Sequence, residues 1–162
     1  MKLLIPSAKE LNEQARIVEP QPLSENTKTI LQALKAFSLE ELATFYGISE
    51  ERAQVEKERI EALLAGSAKT YPALELFDGL MYRSIERQDL SEKEQAYLQE
   101  HLLITTALYG VLPAYEGIAP HRLDFMMKLK PAGKSLKAFW KEDYDQAVEG
   151  EKQILSLLSS EF

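Results

Sequence analysis

The sequence predicts a mixed α/β fold, in which a mostly buried central β-sheet is flanked by helices. Two runs are typical of buried strands: a short apolar run at 2–5, and a near-continuous apolar and β-branched run at 102–108 that is expected to be buried on both faces. Five serines each precede a segment whose apolar residues recur at helical spacing. With 162 residues, of which 45% are hydrophobic, the chain has enough apolar content for one domain with its own core.

Charge and cysteine content restrict the class of protein. The formal net charge of −7 argues against a uniformly basic nucleic-acid coat, although a local basic patch stays possible. The absence of cysteine excludes disulfides and thiolate metal sites and is consistent with a reducing cytosol. The N-terminal apolar run is too short for a signal peptide, and no run approaches the ~20 residues of a membrane helix. We therefore expect a cytoplasmic protein with no membrane partner.

The first strand, 2–5, is closed by Pro6 and followed directly by Ser7 and Lys9. A hydroxyl and an ammonium group thus follow the carboxyl end of a strand, which is a favoured ligand position in sheets that carry helices on their faces. A solvated loop is the alternative for these two residues.

Three helices are predicted next, beginning after Ser24, Ser38 and Ser49. The segment 38–64 has the form of a helix–hairpin–helix element, with its hairpin at Gly47, Ile48 and Ser49. Exposed N–H groups in such a hairpin attract DNA phosphates, but glutamates outnumber the cations here. A plain two-helix hairpin is therefore the alternative.

The middle of the chain contains segment 73–85, which fits either a strand that turns at Gly79 or a strand that enters a short helix. Ser91 begins a further helix that ends near His101, and 102–108 follows as the central strand.

A loop within 104–125 is the main candidate for a binding site. Gly110, Pro113 and Pro120 interrupt the apolar pattern, and His121 and Arg122 follow Pro120. Rigidly held loops commonly carry binding groups, whereas an ordinary connection with a surface Arg–Asp pair is the alternative.

A basic segment follows this loop and includes Lys128, Lys130 and Lys134. Such a concentration of cations in an acidic protein is typical of an anion-binding surface or of a solvated face. Ser135 then begins a helix whose apolar stripe includes Trp140, which we assign to the core. A last buried strand is expected at 154–158, and the abrupt end after it suggests a truncated chain.

No motif assigns a reaction. His101 and His121 lack metal-ligand spacing, and phosphate-loop, dinucleotide-binding and nucleophile-elbow motifs are absent. We therefore predict no metal, no cofactor and no defined catalytic residue.

Several stretches resemble, in order and spacing, the YaaA family of bacterial peroxide stress proteins. These are MKLLIPSAKEL, LFDGLMYRSI, TALYGVLPAYEGIAPHRLDF, the Phe139–Trp140 pair and LSSEF. The resemblance covers 1–162, and its motif positions include Ser7, Lys9, Tyr109, Gly110, Arg122 and Leu123. Family members commonly have tyrosine where His121 stands, and they continue past this chain's end with a basic stretch.

The resemblance implies a helix–hairpin–helix element, a basic cleft that binds double-stranded DNA with little sequence preference, and a role in limiting free-iron damage under peroxide stress. We expect Ser7, Lys9, Tyr109, Gly110, His121, Arg122, Lys128, Lys130 and Lys134 to serve the ligand or DNA site. The alternative is an enzyme acting on a nucleotide or nucleobase, held between the Ser7–Lys9 and Tyr109–Arg122 loops. An interaction module without a ligand is the third possibility.

Overall fold

The computed structural model describes residues 1–162 and contains a central four-stranded sheet. Its strands are β1 (Lys2–Pro6), β3 (Leu102–Thr106), β4 (Gly110–Pro113) and β6 (Ile154–Ser156). Their spatial order is β4-β3-β1-β6. β1 pairs in parallel with both β3 and β6, whereas β3 and β4 form an antiparallel hairpin. The predicted mixed α/β class is confirmed, and the two apolar runs are indeed neighbouring strands.

Seven α-helices flank this sheet. They are α1 (Glu25–Lys35), α2 (Leu39–Tyr46), α3 (Glu50–Ala65), α4 (Ala73–Leu76), α5 (Leu80–Arg83), α6 (Glu92–His101) and α7 (Leu136–Ala147). Two short strands, β2 (Tyr71–Pro72) and β5 (Gly117–Ile118), form a separate antiparallel pair, and a 3₁₀ turn spans Pro131–Gly133.

The five predicted capping serines all cap helices. Each side chain accepts a hydrogen bond from a backbone N–H of the first helical turn, at Ser24, Ser38, Ser49, Ser91 and Ser135. Ser38 and Ser91 also form the predicted reciprocal capping boxes with Glu41 and Glu94. These bonds satisfy N–H groups that have no partner inside the helix, which is why the helix starts are readable from sequence.

The turn between β3 and β4 is fixed by buried side chains. Trp140 is 2% exposed, and its indole Nε1 donates a hydrogen bond to the Ala107 carbonyl at 2.8 Å. Thr27 Oγ1 donates to the Leu108 carbonyl at 3.0 Å. The assignment of Trp140 to the core is therefore confirmed, and α1 and α7 together hold the turn from which the central loop departs.

Of the two alternatives for segment 73–85, the structure agrees with a strand that enters a short helix and not with a strand that turns at Gly79, because β2 leads directly into α4 and α5 begins after Gly79. One expectation about local structure needs correction. The last strand, β6, is not buried: all three of its residues are exposed. Its position at the sheet edge explains this exposure, since β1 is its only neighbour.

Candidate functional site

The carboxyl ends of β1 and β3 meet at one edge of the sheet, because the two strands are parallel with Ile5 opposite Ile104. The chain after β1 stays close to β3, since the Ser7 N–H donates to the Thr105 carbonyl at 3.0 Å. Strand ends of this kind are common ligand positions in α/β proteins. The sheet thus places Ser7 and Lys9 beside the loop that follows β3.

A cavity of about 360 Å³ opens at this edge. Four of the residues singled out from the sequence line it, namely Ser7, Lys9, His121 and Arg122. The remaining lining residues are mostly apolar or aromatic: Pro6, Ala8, Tyr46, Phe77, Leu123, Asp124, Met127, Glu161 and Phe162. Its volume lies in the range of small-molecule sites, which usually combine apolar walls with a few polar groups.

The charges on the wall are partly paired. Lys9 Nζ lies 3.6 Å from an Asp124 carboxylate oxygen, and the other Asp124 oxygen accepts from the Met126 N–H at 2.9 Å. Arg122 is exposed to solvent and has no ion pair and no hydrogen-bonded partner. Asp124 therefore pairs with Lys9 and not with Arg122, so the guanidinium donors of Arg122 are free to bind a ligand.

His121 is held in one orientation at the back of the cavity. Its Nδ1 lies 2.8 Å from the Ala119 carbonyl oxygen, which can only accept, so Nδ1 carries the proton and Nε2 is the acceptor. The ring packs edge-on against Tyr109, with centroids 5.2 Å apart, and against Phe77 at 6.2 Å. Burial lowers the pKa of His121 to about 4, and the charge of Arg59 acts in the same direction. His121 is therefore neutral at physiological pH.

We predict that His121 makes the fold sensitive to mild acid. Between pH 6.5 and about 4 the unfolded chain takes up a proton that folded His121 resists, so stability falls as the pH falls through this window. The full difference amounts to roughly 3 kcal/mol. Urea unfolding of the wild type and of His121→Gln at several pH values measures it. His101→Gln, which removes the other histidine and leaves His121 in place, is measured alongside. Equal slopes for wild type and His121→Gln would contradict the assignment.

Tyr109 and Gly110 lie behind this cavity and do not line it. The Tyr109 hydroxyl accepts a hydrogen bond from the Ala119 N–H at 3.1 Å, and burial raises the pKa of Tyr109 to about 12. Gly110 is buried against the Trp140 ring. The structure thus places Tyr109 in support of the His121 loop and Gly110 at a packing position, and a ligand contact at either residue stays a prediction.

The hairpin residues Gly47, Ile48 and Ser49 also lie outside the cavity. Gly47 adopts the left-handed conformation, with φ +64°, and Ser49 caps α3. Glu50 and Glu51 are exposed in the first turn of α3, where a phosphate would approach. The structure thus shows two helices joined by a three-residue turn, and a DNA-binding role for this hairpin stays a prediction.

The same two helices contribute residues that the sequence analysis missed. Tyr46 lines the main cavity, and Glu56 and Arg59 line a small void behind it, whose wall also includes His121 and Arg122. Glu56 is 7% exposed and accepts from Arg59 Nη1 at 2.9 Å, while Arg59 also pairs with Glu13. Burial raises the pKa of Glu56, against the opposing charges of Arg59 and Arg122.

One sequence signal could have found Glu56. It falls between Ala53 and Ile60 on the buried stripe of α3, at a spacing where an apolar residue is expected. A carboxylate at such a position needs a cationic partner, because an unpaired buried charge is costly.

The three lysines Lys128, Lys130 and Lys134 are exposed and make no ion pair. They do not line the cavity, although Lys128 follows Met127, which does. The basic segment is thus a separate surface that starts beside the cavity.

The structure contains no group of three or more His, Asp or Glu side chains placed to hold a metal ion. None of its helices is both long and apolar enough to cross a membrane.

A family model and the most similar curated proteins agree on the family of this chain. A family model described as peroxide stress protein YaaA matches residues 1–162. A UPF0246 protein of Streptococcus gordonii is 57% identical over 162 residues, which are all of this chain and 66% of the relative. UPF0246 proteins of Streptococcus sanguinis and of Streptococcus pneumoniae serotype 19F are 58% and 54% identical over the same length, each with 67% covered. The chain thus spans about two thirds of the length of these relatives, and it belongs to the YaaA family of peroxide stress proteins.

Proposed function

We propose that this protein acts in the response to peroxide stress by binding DNA phosphates at the cavity and along the adjoining basic segment. The observation that carries the proposal is the unpaired guanidinium of Arg122 on the wall of a cavity of about 360 Å³. A guanidinium binds a phosphate through two parallel hydrogen bonds, and Lys9 and the Ser7 hydroxyl line the same cavity.

The arrangement of hydrogen-bond donors in the cavity supports this proposal more than the net charge of the cavity wall does. Two cations, Lys9 and Arg122, and two carboxylates, Asp124 and Glu161, line the cavity. Since Lys9 and Asp124 compensate each other at 3.6 Å, Arg122 is the group with free donors. A duplex needs further contacts, and the exposed lysines at 128, 130 and 134 can supply them.

For DNA binding we predict a steep dependence on salt and little dependence on sequence, because contacts to phosphates dominate. Replacing Lys128, Lys130 and Lys134 together by alanine should reduce the slope of log affinity against log salt by about one unit per lost contact. Fluorescence anisotropy of a labelled duplex over a series of salt concentrations measures this slope.

The matched control replaces three exposed lysines on other elements, Lys35, Lys69 and Lys93, and so changes the net charge by the same amount. If both triple variants change the slope equally, the effect is one of net charge. That result would remove the basic segment from the proposed interface.

An enzyme acting on a nucleotide or nucleobase is the second candidate. The cavity favours it, because Tyr46, Phe77 and Phe162 give the cavity aromatic walls. Thermal-shift measurements with mononucleotides and with duplex DNA distinguish the two functions. Stabilisation by a mononucleotide at equal phosphate concentration, with none by duplex, would favour the enzyme.

The limitation of free-iron damage is a further part of the proposal, and it concerns the whole family protein because this chain spans about two thirds of its relatives. The measurement is the chelatable iron in peroxide-treated cells with and without the full-length protein. Equal iron levels would contradict this part and leave the DNA proposal unaffected.

A further inference from the structure

Two neutral polar groups on the cavity wall have no hydrogen-bond partner in this chain. Tyr46 is 7% exposed and lines the cavity, but its hydroxyl is bonded to no other residue. Burial and the charge of Glu56 raise the pKa of Tyr46, against the opposing charge of Arg122, so the hydroxyl keeps its proton. His121 uses Nδ1 for the Ala119 carbonyl, and its Nε2 acceptor is unpaired as well. Because buried polar groups are normally paired, both groups are suited to a ligand that enters the cavity.

The same wall carries aromatic rings. Those of Tyr46, Phe77 and His121 line the cavity, and they come from α2, from the end of α4 and from the loop after β5. Phe77 and His121 pack edge to face, with their centroids 6.2 Å apart. Aromatic side chains bind nucleobases by stacking, whichever base is present, because every base has a π-face. The wall thus combines stacking surfaces with one hydroxyl and one ring nitrogen that can pair with the edge of a base.

These groups have no role when DNA is bound by its backbone alone. Arg122 directly follows His121 in the chain and lines the same cavity, so phosphate donors and base-binding groups are neighbours there. In a duplex, however, each base is stacked and paired, and only a base that leaves the stack can enter a protein cavity. A fully paired duplex on this surface would leave the rings and both neutral polar groups without a partner.

We propose that the cavity takes the base of one nucleotide that has left the stack of a DNA strand, while Arg122 binds the adjoining phosphate. This inference rests on the DNA binding proposed above and names the part of the DNA that the cavity recognises. The rings hold the base by stacking, and the Tyr46 hydroxyl and His121 Nε2 pair with its edge. Removing a base from the stack costs least where the base is unpaired, so DNA with an unpaired nucleotide is the preferred partner.

Two bulged duplexes that differ by a single base test this inference. Both have the same sequence and a one-nucleotide bulge, which is deoxyadenosine in one duplex and an abasic site with the same sugar and phosphate in the other. Fluorescence anisotropy at fixed salt measures both dissociation constants. We expect the adenine bulge to bind at least about tenfold more tightly, because stacking on aromatic side chains is lost with the base.

The other outcomes of this comparison separate the inference from the proposal on which it rests. Equal affinities for the two duplexes would overturn the base-binding role of the cavity and leave DNA binding intact. If neither duplex binds, the proposed DNA binding fails, and the inference fails with it.

Tyr46→Phe tests whether the base lies in this cavity. The variant keeps the ring and removes a hydroxyl that has no partner in the chain, so the fold loses no hydrogen bond. The ratio of the two affinities should fall about threefold to tenfold, which corresponds to one hydrogen bond. Tyr144→Phe is the matched control, because the Tyr144 hydroxyl is also buried without a partner but belongs to α7, outside the cavity. Equal ratios in both variants would place the base elsewhere and overturn the inference.

A free mononucleotide offers the same base and phosphate chemistry as a nucleotide within a strand, and competition distinguishes the two sources. Deoxyadenosine monophosphate at the same concentration as the adenine-bulge duplex should release little of it, because the strand makes further phosphate contacts. Complete release would assign the cavity to a free nucleotide and overturn the inference.

Discussion

Replacing Gly110 by valine is expected to lower the free energy of unfolding by roughly 2–6 kcal/mol, which combines backbone strain with overpacking. Gly110 has φ +76°, a conformation that residues with a side chain rarely adopt. A Cβ atom at this position would lie 2.7 Å from Cε3 and Cζ3 of Trp140. Trp140 cannot move away easily, because it is buried and its indole nitrogen is hydrogen-bonded to Ala107.

Gly133 provides a matched control for Gly110→Val. Its φ is also +76°, but a Cβ atom there would have no neighbour within 4 Å. Gly133→Val should therefore show the strain alone, at about 1–3 kcal/mol. Urea unfolding monitored by tryptophan fluorescence and by circular dichroism measures both variants. Equal losses of stability would show that the contact with Trp140 contributes nothing.

The helices and the pairing of the two inner strands could be predicted from the sequence. Both depend on local rules: a serine that caps the first turn, a glycine that ends a helix, and an apolar run long enough for a buried strand. Gly47 and Gly66, for example, end α2 and α3 in the left-handed conformation. Such signals lie within a few residues of the structure that they specify.

The wall of the site could be predicted only in part. Ser7, Lys9, His121 and Arg122 lie together because β1 and β3 are parallel neighbours, which the apolar runs indicate. Tyr46 and Glu56 reach the same region through the packing of α2 and α3, and no local pattern reports which helix faces which loop. Tyr109 lies behind the cavity and not on its wall, because a motif position does not show which way a side chain points.

The exposure of β6 could not be predicted from the local sequence either. The apolar pattern of 154–158 correctly predicts a strand, and the parallel pairing with β1 agrees with it. Burial, however, depends on what lies next to the strand, and the pattern alone does not show whether that neighbour belongs to the same polypeptide.

We expect Arg122→Lys to weaken DNA binding at least tenfold while shifting the melting temperature by no more than about 2 °C. The first effect follows because lysine cannot form the two parallel hydrogen bonds of a guanidinium, and a hydrogen bond to a charged group contributes about 1.5–3 kcal/mol. The second follows because Arg122 is exposed, has no hydrogen bond or ion pair to lose, and is replaced by a residue that keeps the positive charge acting on Glu56. Asp124, its nearest competitor in sequence, pairs with Lys9 instead.

Two quantities measured on this variant decide the role of Arg122: the dissociation constant for a duplex at fixed salt, and the melting temperature by calorimetry. Arg52→Lys is the matched control, because Arg52 is also exposed, makes no ion pair and lies on α3 outside the cavity. The charge is unchanged in both variants, so a difference in affinity between them reports the geometry of the guanidinium. A destabilised Arg122→Lys protein that binds DNA as tightly as the wild type would show that Arg122 serves the fold and would refute its assignment to the ligand.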